Sequence, residues 1–535
     1  MPPAARWELA SPPELPEGLR PAANSEISGS NNVVVQITGD GNTVVAGYAH
    51  LTLTRYLSRR LAAEELPDEA AILSPYSLAV PWVGREAALA DLWGWMKGSR
   101  PISVRVMTAR AGTGKTRLAL KLCDEALGAG WGAGIVTESE LIRFLAQQNL
   151  STWGWSRPTL IVVDYASSRA RLLRSWLIEL ADHAGRTEVP LRLLLLERHA
   201  DPSGGWWREA FGMGGGNTEA VERLLDPSSP YLLPALAGPK ERRAVLTSIL
   251  ERIGSPVRPP EPEASSDFDR RLAELSWGGE PLFLLMAGLV ADRAGFGEVL
   301  ALSGADLGVH IARRELGRVS SLAQTRQLPE RFFAHLAAYI TLCQGLPRID
   351  VEDVVEEEAA ALRYRLAGGA PEVYAALAAA LPGEQGAVAP VLPDLIGEAV
   401  ILEALGDGSA DKASAAVSRA YRRAGERVTA TLIHLAQDYG ELDSKHIRME
   451  PRRWLERVAG ERGVDLEWLV GFLGQLPWST LYLREPAEAL TRQAVELARE
   501  QGSRELLAAE EYLSPSRALA RPAASDLAGR SRRAA

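Results

Sequence analysis

The stretch "ISVRVMTARAGTGKTRLALKLCDEAL", residues 102–127, decides the fold. Its apolar run from Ile102 to Met107 predicts a buried strand, and the pattern from Lys115 to Leu127 predicts a helix. A glycine-rich turn joins the two. Backbone N–H groups at the start of such a helix bind phosphates, because the helix dipole favours negative charge there. The stretch therefore predicts a P-loop nucleotide site.

The glycine-rich turn matches the P-loop pattern at four positions, Gly112, Gly114, Lys115 and Thr116, and has Ala109 where the first glycine belongs. Alanine keeps the side chain small but disfavours a positive φ. We expect Lys115 to reach the β- and γ-phosphates and the Thr116 hydroxyl to ligate Mg²⁺. The predicted ligands are ATP or ADP with Mg²⁺, and the predicted binding segment is Ala109, Arg110, Ala111, Gly112, Thr113, Gly114, Lys115, Thr116 and Arg117.

Two further strands each end in polar residues. In "PTLIVVDYA" the run from Leu160 to Val163 ends in Asp164, the expected second Mg²⁺ ligand and, with Lys115, a catalytic residue. Tyr165 follows where many hydrolytic relatives carry a second carboxylate, so any ATP hydrolysis is expected to be slow. The strand "PLRLLLLERHA" ends in Glu197 and Arg198. Because ligands of open α/β sheets bind at strand carboxyl ends, we expect Arg198 to sense the γ-phosphate and assign it a catalytic role.

Two flanking motifs resemble those of the STAND NTPases, signal-transduction ATPases related to apoptotic protease-activating factors and plant resistance proteins. "VGREAALADLWGWM" (83–96) is similar to their entry motif, and "WGGEPLFLLMAG" (277–288) is similar to their Gly-x-Pro motif at the start of a lid helix. The resemblance spans residues 79–300. It implies that four residues lie near the adenine base: Val83, Gly84, Arg85 and Pro281.

The resemblance implies a fold of several parts, namely an α/β P-loop NTPase core with a parallel STAND- or AAA+-like sheet, then a helical lid, a winged-helix-like region and an all-α C-terminal region. No strict repeat period marks the last of these. The predicted boundaries are 1–24 for a disordered leader, 25–50 for a β-hairpin or amyloid-signalling-like motif, 51–78 for a linker, 79–240 for the core, 241–315 for the lid, 316–408 for the winged-helix-like region, 409–513 for the α-helical region and 514–535 for a disordered tail.

The segment "NNVVVQITGDGNTVVAG", residues 31–47, has apolar alternation on both sides of a Gly-Asp-Gly-Asn turn, which predicts two strands and a tight reversal. Its β-branched residues, low charge and amides suit stacked, in-register copies. It resembles short bacterial amyloid-signalling motifs of the necroptosis type with a Val-Gln-Ile-Gly core, from which Thr38 departs by standing before Gly39. An ordinary hairpin that docks on the core or forms a homomeric β-interface is the alternative hypothesis.

Composition restricts the other functional classes. Hydrophobic residues make up 46% of the 535 residues and charged residues 24%, as in a multidomain globular protein. Cys123 and Cys343 lack metal-ligand spacing and are expected to be buried thiols. No signal peptide or membrane span is expected, and the predicted localisation is cytoplasmic. The net charge of −9 gives no reason to expect nucleic acid as a partner.

These observations favour a nucleotide-gated signalling switch. ADP would hold a closed monomer and ATP would allow homo-oligomerisation, and the family resemblance implies a role in bacterial conflict or cell death with a separate effector that carries a matching N-terminal motif. The alternatives are an ATP-dependent transcription regulator, which needs a basic helix-turn-helix that the sequence does not display, and a motor-type AAA+ ATPase, against which Tyr165 argues.

Overall fold

The computed structural model describes residues 51–54, 69–147, 153–185, 187–202, 205–212, 218–261, 266–366, 368–383, 386–406, 410–440, 450–460 and 481–500, with residues 466, 469 and 473. The predicted leader, the motif at 31–47 and the tail lie outside these residues. None of the helices within these ranges is long and apolar enough to span a membrane. Cys123 and Cys343 are buried free thiols, as predicted.

Five parallel strands form a sheet in the described part of the chain, in the order β2-β3-β4-β1-β5. The strands are β1 Ile102–Thr108, β2 Gly132–Ile135, β3 Thr159–Asp164, β4 Leu191–Glu197 and β5 Tyr231–Leu232. Every residue of β1 and of β4 is buried, because helices cover both faces of the sheet. The two strands pair from Ile102 with Leu191 to Thr108 with Glu197. This register brings the start of the P-loop beside the end of β4.

The helices around the sheet are α2 Glu86–Met96, α3 Lys115–Gly128, α4 Glu138–Leu145, α5 Ala170–His183, α6 Gly205–Trp207 and α7 Thr218–Glu222. The short helix α1 Glu69–Leu73 packs instead with the later helices, because Ile72 and Leu73 belong to their apolar cluster. Alternate residues of each strand point to opposite faces, so Val104 and Met107 belong to different apolar clusters. Trp153, Trp206 and Trp207 are buried in the cluster on the Val104 face. Large aromatic side chains of this kind supply much of the apolar area that a core buries.

The rest of the described chain is almost entirely helical, as predicted. The helices are α8 Pro239–Arg252, α9 Ser266–Glu274, α10 Pro281–Ala294, α11 Phe296–Val299, α12 Gly304–Thr325, α13 Glu330–Leu342, α14 Arg348–Leu362, α15 Gly369–Ala380, α16 Asp394–Gly406, α17 Ala410–Gly440, α18 Glu450–Ala459 and α19 Leu481–Glu500. A capping box between Ser303 and Asp306 starts α12, which runs across the boundary predicted at residue 316. Helix α17 is kinked at Ala424, where φ is −141° and ψ is 49°.

The predicted fold class is confirmed: an α/β core with a parallel sheet and a P-loop is followed by helical regions. Between α13 and α16 the chain adds a short antiparallel contact in which Leu346 and Val388 exchange backbone hydrogen bonds of 3.0 and 2.9 Å. This contact lies within the region predicted as winged-helix-like. It fixes the approach of the chain to α16, whose first residue reaches the P-loop cavity described below.

Residues 51–54 pack on the edge of the core sheet, although the sequence places them in a linker. The Thr54 N–H donates to the Ile135 carbonyl at 2.9 Å, and the Ile135 N–H donates to the Thr54 carbonyl at 3.1 Å. Leu51 and Leu53 are buried in the cluster that contains Val104. The edge strand β2 is therefore covered by a short antiparallel segment of the same chain, which protects its free backbone groups.

Candidate functional site

The P-loop lies between the end of β1 and the start of α3. Gly112 and Gly114 have φ values of +80° and +96°, in the left-handed region that side chains other than glycine rarely adopt. A Cβ atom at Gly112 would also approach the Phe283 ring to 3.2 Å. Ala109 is buried and its φ lies outside the left-handed region. A small residue therefore suffices at Ala109, whereas the later two positions require glycine.

Lys115 directs its ammonium group into the loop. The Nζ atom donates to the carbonyl of Ala109 at 2.6 Å and to that of Arg110 at 3.2 Å. Burial lowers the pKa of Lys115, and Arg198 lowers it further, whereas Asp164 raises it. The oxygens of a phosphate chain in this loop would replace the two carbonyls as acceptors for the ammonium.

Thr116 and Asp164, the two expected Mg²⁺ ligands, meet at the end of β3. The Thr116 hydroxyl donates to the Asp164 carboxylate at 2.9 Å. Burial raises the pKa of Asp164, although Lys115 and Thr116 act in the opposite direction. In the described residues, no group of three or more His, Cys, Asp or Glu side chains could hold a metal ion. The pair nevertheless suits Mg²⁺, which binds one or two protein oxygens and completes its shell with phosphate oxygens and water.

The P-loop opens into a cavity of ≈320 Å³. Its polar end carries Lys115, Thr116, Asp164 and Arg198. Its other end is lined largely by apolar side chains, and the residues that line it include Ile72, Leu73, Tyr76, Val80, Trp82, Val83, Val245, Pro281, Leu282 and Leu285. A polar end for phosphates joined to an apolar end for a flat base fits a nucleotide in size and in chemistry.

Only some of the other predicted binding residues line the cavity. Val83, Arg85 and Pro281 line the cavity, whereas Gly84, Ala109 and Arg110 are not part of its wall. Arg85 donates to the Thr113 carbonyl at 2.7 Å and also to the Pro234 carbonyl, so its guanidinium braces the loop. Burial lowers the pKa of Arg85, although Glu280 opposes this. Gly84 has a φ of +71° and packs closely on Leu236 and Glu241, which gives it a structural reason to be glycine.

The start of the lid helix α10 is bonded directly to the P-loop. The Thr113 hydroxyl donates to the Glu280 carboxylate at 2.5 Å, and the Leu282 N–H donates to the Gly112 carbonyl at 3.0 Å. Burial raises the pKa of Glu280, whereas Thr113 and Arg110 lower it. Pro281 stands in the first turn of α10, where its missing N–H costs no helical hydrogen bond. The Gly-x-Pro segment thus fixes the lid to the phosphate-binding loop.

Arg198 at the end of β4 is held by two acids from the C-terminal helices. Its guanidinium lies 2.9 Å from Glu398 on α16 and 2.7 Å from Asp438 on α17, and all three side chains are at least nine-tenths buried. Burial acts to lower the pKa of Arg198, but Asp438 and Glu398 raise it above its ordinary value. Burial and the neighbouring Asp438 raise the pKa of Glu398. The predicted sensor arginine is therefore already paired within the chain.

Besides Glu398 and Asp438, sequence reasoning missed Asp394 and His434, which α16 and α17 bring to this cavity or its edge. Asp394 lines the cavity, and burial together with Asp164 and Asp438 raises its pKa to about 7. His434 packs on Tyr165 with 5.1 Å between ring centroids. Burial lowers the pKa of His434, and so do the charges of Arg198 and Lys115. No local pattern marks these residues, because only the packing of helices distant in sequence brings them to the P-loop.

Solved structures similar to this chain in fold include replication proteins. No protein-family model matches the chain, and no curated protein matches it. The ORC1 protein of Aeropyrum pernix in complex with DNA is 15% identical, with 63% of this chain and 96% of that chain covered and a TM-score of 0.28. A replication initiator DnaA bound to AMPPCP and single-stranded DNA is 13% identical, with coverage of 57% and 91% and a TM-score of 0.28. The ORC2 protein of Aeropyrum pernix, in ADPNP and ADP complexes, is 13% identical, with coverage of 63% and 99% and a TM-score of 0.30.

One expectation from the sequence needs correction. The acidic net charge and the absence of a recognisable helix-turn-helix gave no reason to expect nucleic acid as a partner. That expectation is contradicted, because two of the similar structures named above hold DNA. Net charge is the sum of all charges in the chain, so it does not show whether part of the surface is basic. Basic surfaces are what the phosphate backbone of a nucleic acid contacts. Nucleic acid is therefore not excluded as a partner.

Proposed function

We propose that this protein is a nucleotide-gated switch of the STAND type, in which ADP stabilises a closed form and ATP favours an open form that self-associates. The nucleotide then acts as a ligand that shifts a conformational equilibrium, since it binds the two forms with different affinity. Lys115, Thr116 and Asp164 would bind the phosphates and Mg²⁺. The apolar end of the cavity would take the adenine base.

One observation carries this proposal: Arg198 forms ion pairs with Glu398 and Asp438. We call these three residues the latch. An arginine at the carboxyl end of β4, beside the P-loop, is placed to contact a γ-phosphate, and in this conformation two carboxylates occupy its guanidinium. A γ-phosphate and the latch carboxylates therefore compete for one cation. ATP would weaken the closure of α16 and α17, whereas ADP would leave it intact.

The latch can be tested by the release rate of a fluorescent ADP. Glu398→Gln and Asp438→Asn, singly, weaken the contact with the Arg198 guanidinium while keeping the side-chain shape, and each should speed ADP release by about tenfold because a charge-assisted bond holds the closed form. The matched control is Glu403→Gln on the same helix, whose exposed pair with Arg313 lies outside the cavity wall. Unchanged release in both latch variants would reject the switch.

Nucleotide binding has its own test, in which Lys115→Ala should abolish binding of ADP and ATP by removing the phosphate contact. Lys121→Ala on the same helix, in an exposed pair with Glu125, should bind like wild type. Equal affinities in wild type and Lys115→Ala, measured by calorimetry with Mg²⁺, would reject the P-loop assignment.

A cycling AAA+ ATPase is the second candidate, and the complete set of Lys115, Thr116, Asp164 and Arg198 at one cavity favours it. The two functions differ in rate. Because Tyr165 stands where a second carboxylate would polarise water, the switch should turn over well below about 10 per second. Phosphate release should be measured with and without single- and double-stranded DNA. Rapid turnover, or strong stimulation by DNA, would favour the cycling ATPase.

A further inference from the structure

The segment from Ser74 to Val83 forms one wall of the cavity, yet the described part of this segment contains no regular helix or strand. It turns tightly, with the Ser77 hydroxyl donating to the Ser74 carbonyl at 2.9 Å and with Leu78 at a φ of +49°. A left-handed backbone at leucine is strained and persists only where surrounding contacts fix it. The wall therefore needs a contact from outside itself.

Arg117 supplies such a contact. Its guanidinium donates to the Pro75 carbonyl at 3.2 Å and to the Val80 carbonyl at 2.8 Å, and so joins two points of the wall that are five residues apart. Arg117 follows Thr116 in the first turn of α3. The first turn of α3 thus contributes to both parts of the cavity. Lys115 and Thr116 lie at its phosphate end, and Arg117 holds the wall of its apolar end.

Helix stability does not explain an arginine at this position. The positive end of the helix dipole lies at the first turn of α3, where anionic side chains are favoured and cationic ones are not. Burial lowers the pKa of Arg117, although Asp124 opposes this. The planar fork of arginine, in contrast, directs separate N–H groups in fixed directions to two carbonyls that lie five residues apart, whereas an ammonium group donates from a single point.

We propose that Arg117 is a positioning residue for the base of the bound nucleotide: it fixes the wall Ser74–Val83 to the first turn of α3, so that the base and the phosphates are held in one register. This inference rests on the proposed nucleotide binding. Arg117 acts on the base through Pro75 and Val80. Its loss should weaken ligands that carry a base and leave a bare phosphate chain unaffected.

The experiment compares ADP with inorganic tripolyphosphate, both with Mg²⁺, by calorimetry on the full chain. Arg117→Ala should weaken ADP about tenfold, as expected for the loss of two hydrogen bonds that organise a binding wall, and should change tripolyphosphate affinity by less than about twofold. Arg117→Lys keeps the charge and should recover only part of the ADP affinity. Lys121→Ala, four residues further along α3, is the matched control and should bind both ligands like wild type.

Three outcomes would overturn the inference. If Arg117→Ala weakens ADP and tripolyphosphate equally, or if Arg117→Lys restores ADP affinity fully, Arg117 acts by its charge on the phosphates and not through the wall. If ADP affinity is unchanged, the wall does not need Arg117. A failure of the proposed function looks different, because then wild type and Lys115→Ala would bind ADP equally. If the melting curve shows that Arg117→Ala folds poorly, Arg117→Lys takes its place. The ratio of its ADP affinity to its tripolyphosphate affinity then supplies the same comparison.

Discussion

At the scale of single residues, Ala109 and Tyr165 depart from common P-loop patterns, and the structure gives each a physical setting. Ala109 stands at a position whose backbone does not need a positive φ, so a small side chain is enough. Tyr165 itself has a φ of +57° and packs on His434 of α17. A residue in this strained region persists where neighbours fix it. Tyr165 therefore joins β3 to the C-terminal helices at the place where hydrolytic relatives carry an acid.

Asp394 makes stability depend on pH in a predictable direction. Its pKa is raised to about 7 by burial, by Asp164 and by Asp438, with Lys115 opposing, from an ordinary value of 3.8. The stabilising contribution of the protonated form is complete below about pH 4 and is lost as pH rises through about 7. Asp394→Asn stays neutral at both pH values. Its melting temperature should therefore lie about 2–4 °C above that of wild type at pH 8 and should equal that of wild type at pH 4.

The measurement is a melting curve at both pH values without nucleotide. Asp411→Asn, at an exposed residue in the first turn of α17, is the control and should show no such difference between the two pH values. The groups that face Asp394 from neighbouring elements stay unchanged in both variants. A melting temperature of Asp394→Asn that tracks wild type at both pH values would show that Asp394 is not held in a charge-excluding environment.

At the scale of elements, the short segment 51–54 is a structural part of the core. Gly134 in β2 allows its close approach, because a Cβ atom there would lie 2.9 Å from the Leu53 Cβ and 2.9 Å from the Thr54 carbonyl oxygen. Gly134→Ala should therefore push the segment off the sheet edge and destabilise the core by about 1–3 kcal/mol, the usual cost of overpacking. The expected result is faster hydrogen exchange at the backbone amides of Thr54 and Ile135, because each of these amides donates a hydrogen bond to the carbonyl of the other residue.

Gly154→Ala is the matched control, because a Cβ atom at Gly154 would meet no atom within 4 Å. It should leave both the melting temperature and the exchange of those amides as in wild type. If Gly134→Ala also leaves them unchanged, the segment 51–54 is not anchored to the edge of β2.

The elements also show which parts of the site can be predicted from the sequence. The strands at Ile102 and Leu160 and the loop between Gly112 and Thr116 were predictable, because each is a short run of apolar or glycine residues. The helix start at Pro281 followed from the resemblance to the Gly-x-Pro motif of the STAND NTPases. The pairing of Thr116 with Asp164 was expected because a P-loop needs an acid at the end of a second strand to share its Mg²⁺ site. Prediction needed no knowledge of distant helices in these cases.

The partners of Arg198 could not be found in this way. Glu398 lies 200 residues further along the chain and sits within a long apolar helix, where a glutamate looks like an ordinary helix former. Asp394, His434 and Asp438 likewise become part of the site only when α16 and α17 pack over the P-loop. The sequence predicted the half of the site that is local and missed the half that depends on how the helices return to the core.

At the scale of the whole molecule, the described chain joins the P-loop cavity to the C-terminal helices through a few buried polar contacts. Glu280 accepts a hydrogen bond from Thr113 and so joins the start of α10 to the P-loop. The ion pairs of the latch join α16 and α17 to the end of β4. Buried ion pairs are costly to break singly because a charge is left without its partner. A ligand that replaces one partner avoids this cost. This arrangement is suited to the proposed two-state response to nucleotide, in which self-association of the open form would cluster the motif at residues 31–47.

That motif gives the last prediction. If residues 31–47 are an amyloid-signalling motif, a peptide from Ser25 to His50 should form seeded fibrils with the cross-β spacing of about 4.7–4.8 Å, and Gln36→Arg should stop their growth because like charges about 5 Å apart repel in every rung. The same substitution in the full chain should leave ADP affinity unchanged. If the segment is instead an ordinary hairpin docked on the core, the peptide should stay soluble and deletion of residues 1–47 should lower the melting temperature. A soluble peptide together with a destabilised deletion variant would remove the amyloid hypothesis and leave the nucleotide switch, which rests on Lys115, Arg198 and their neighbours, untouched.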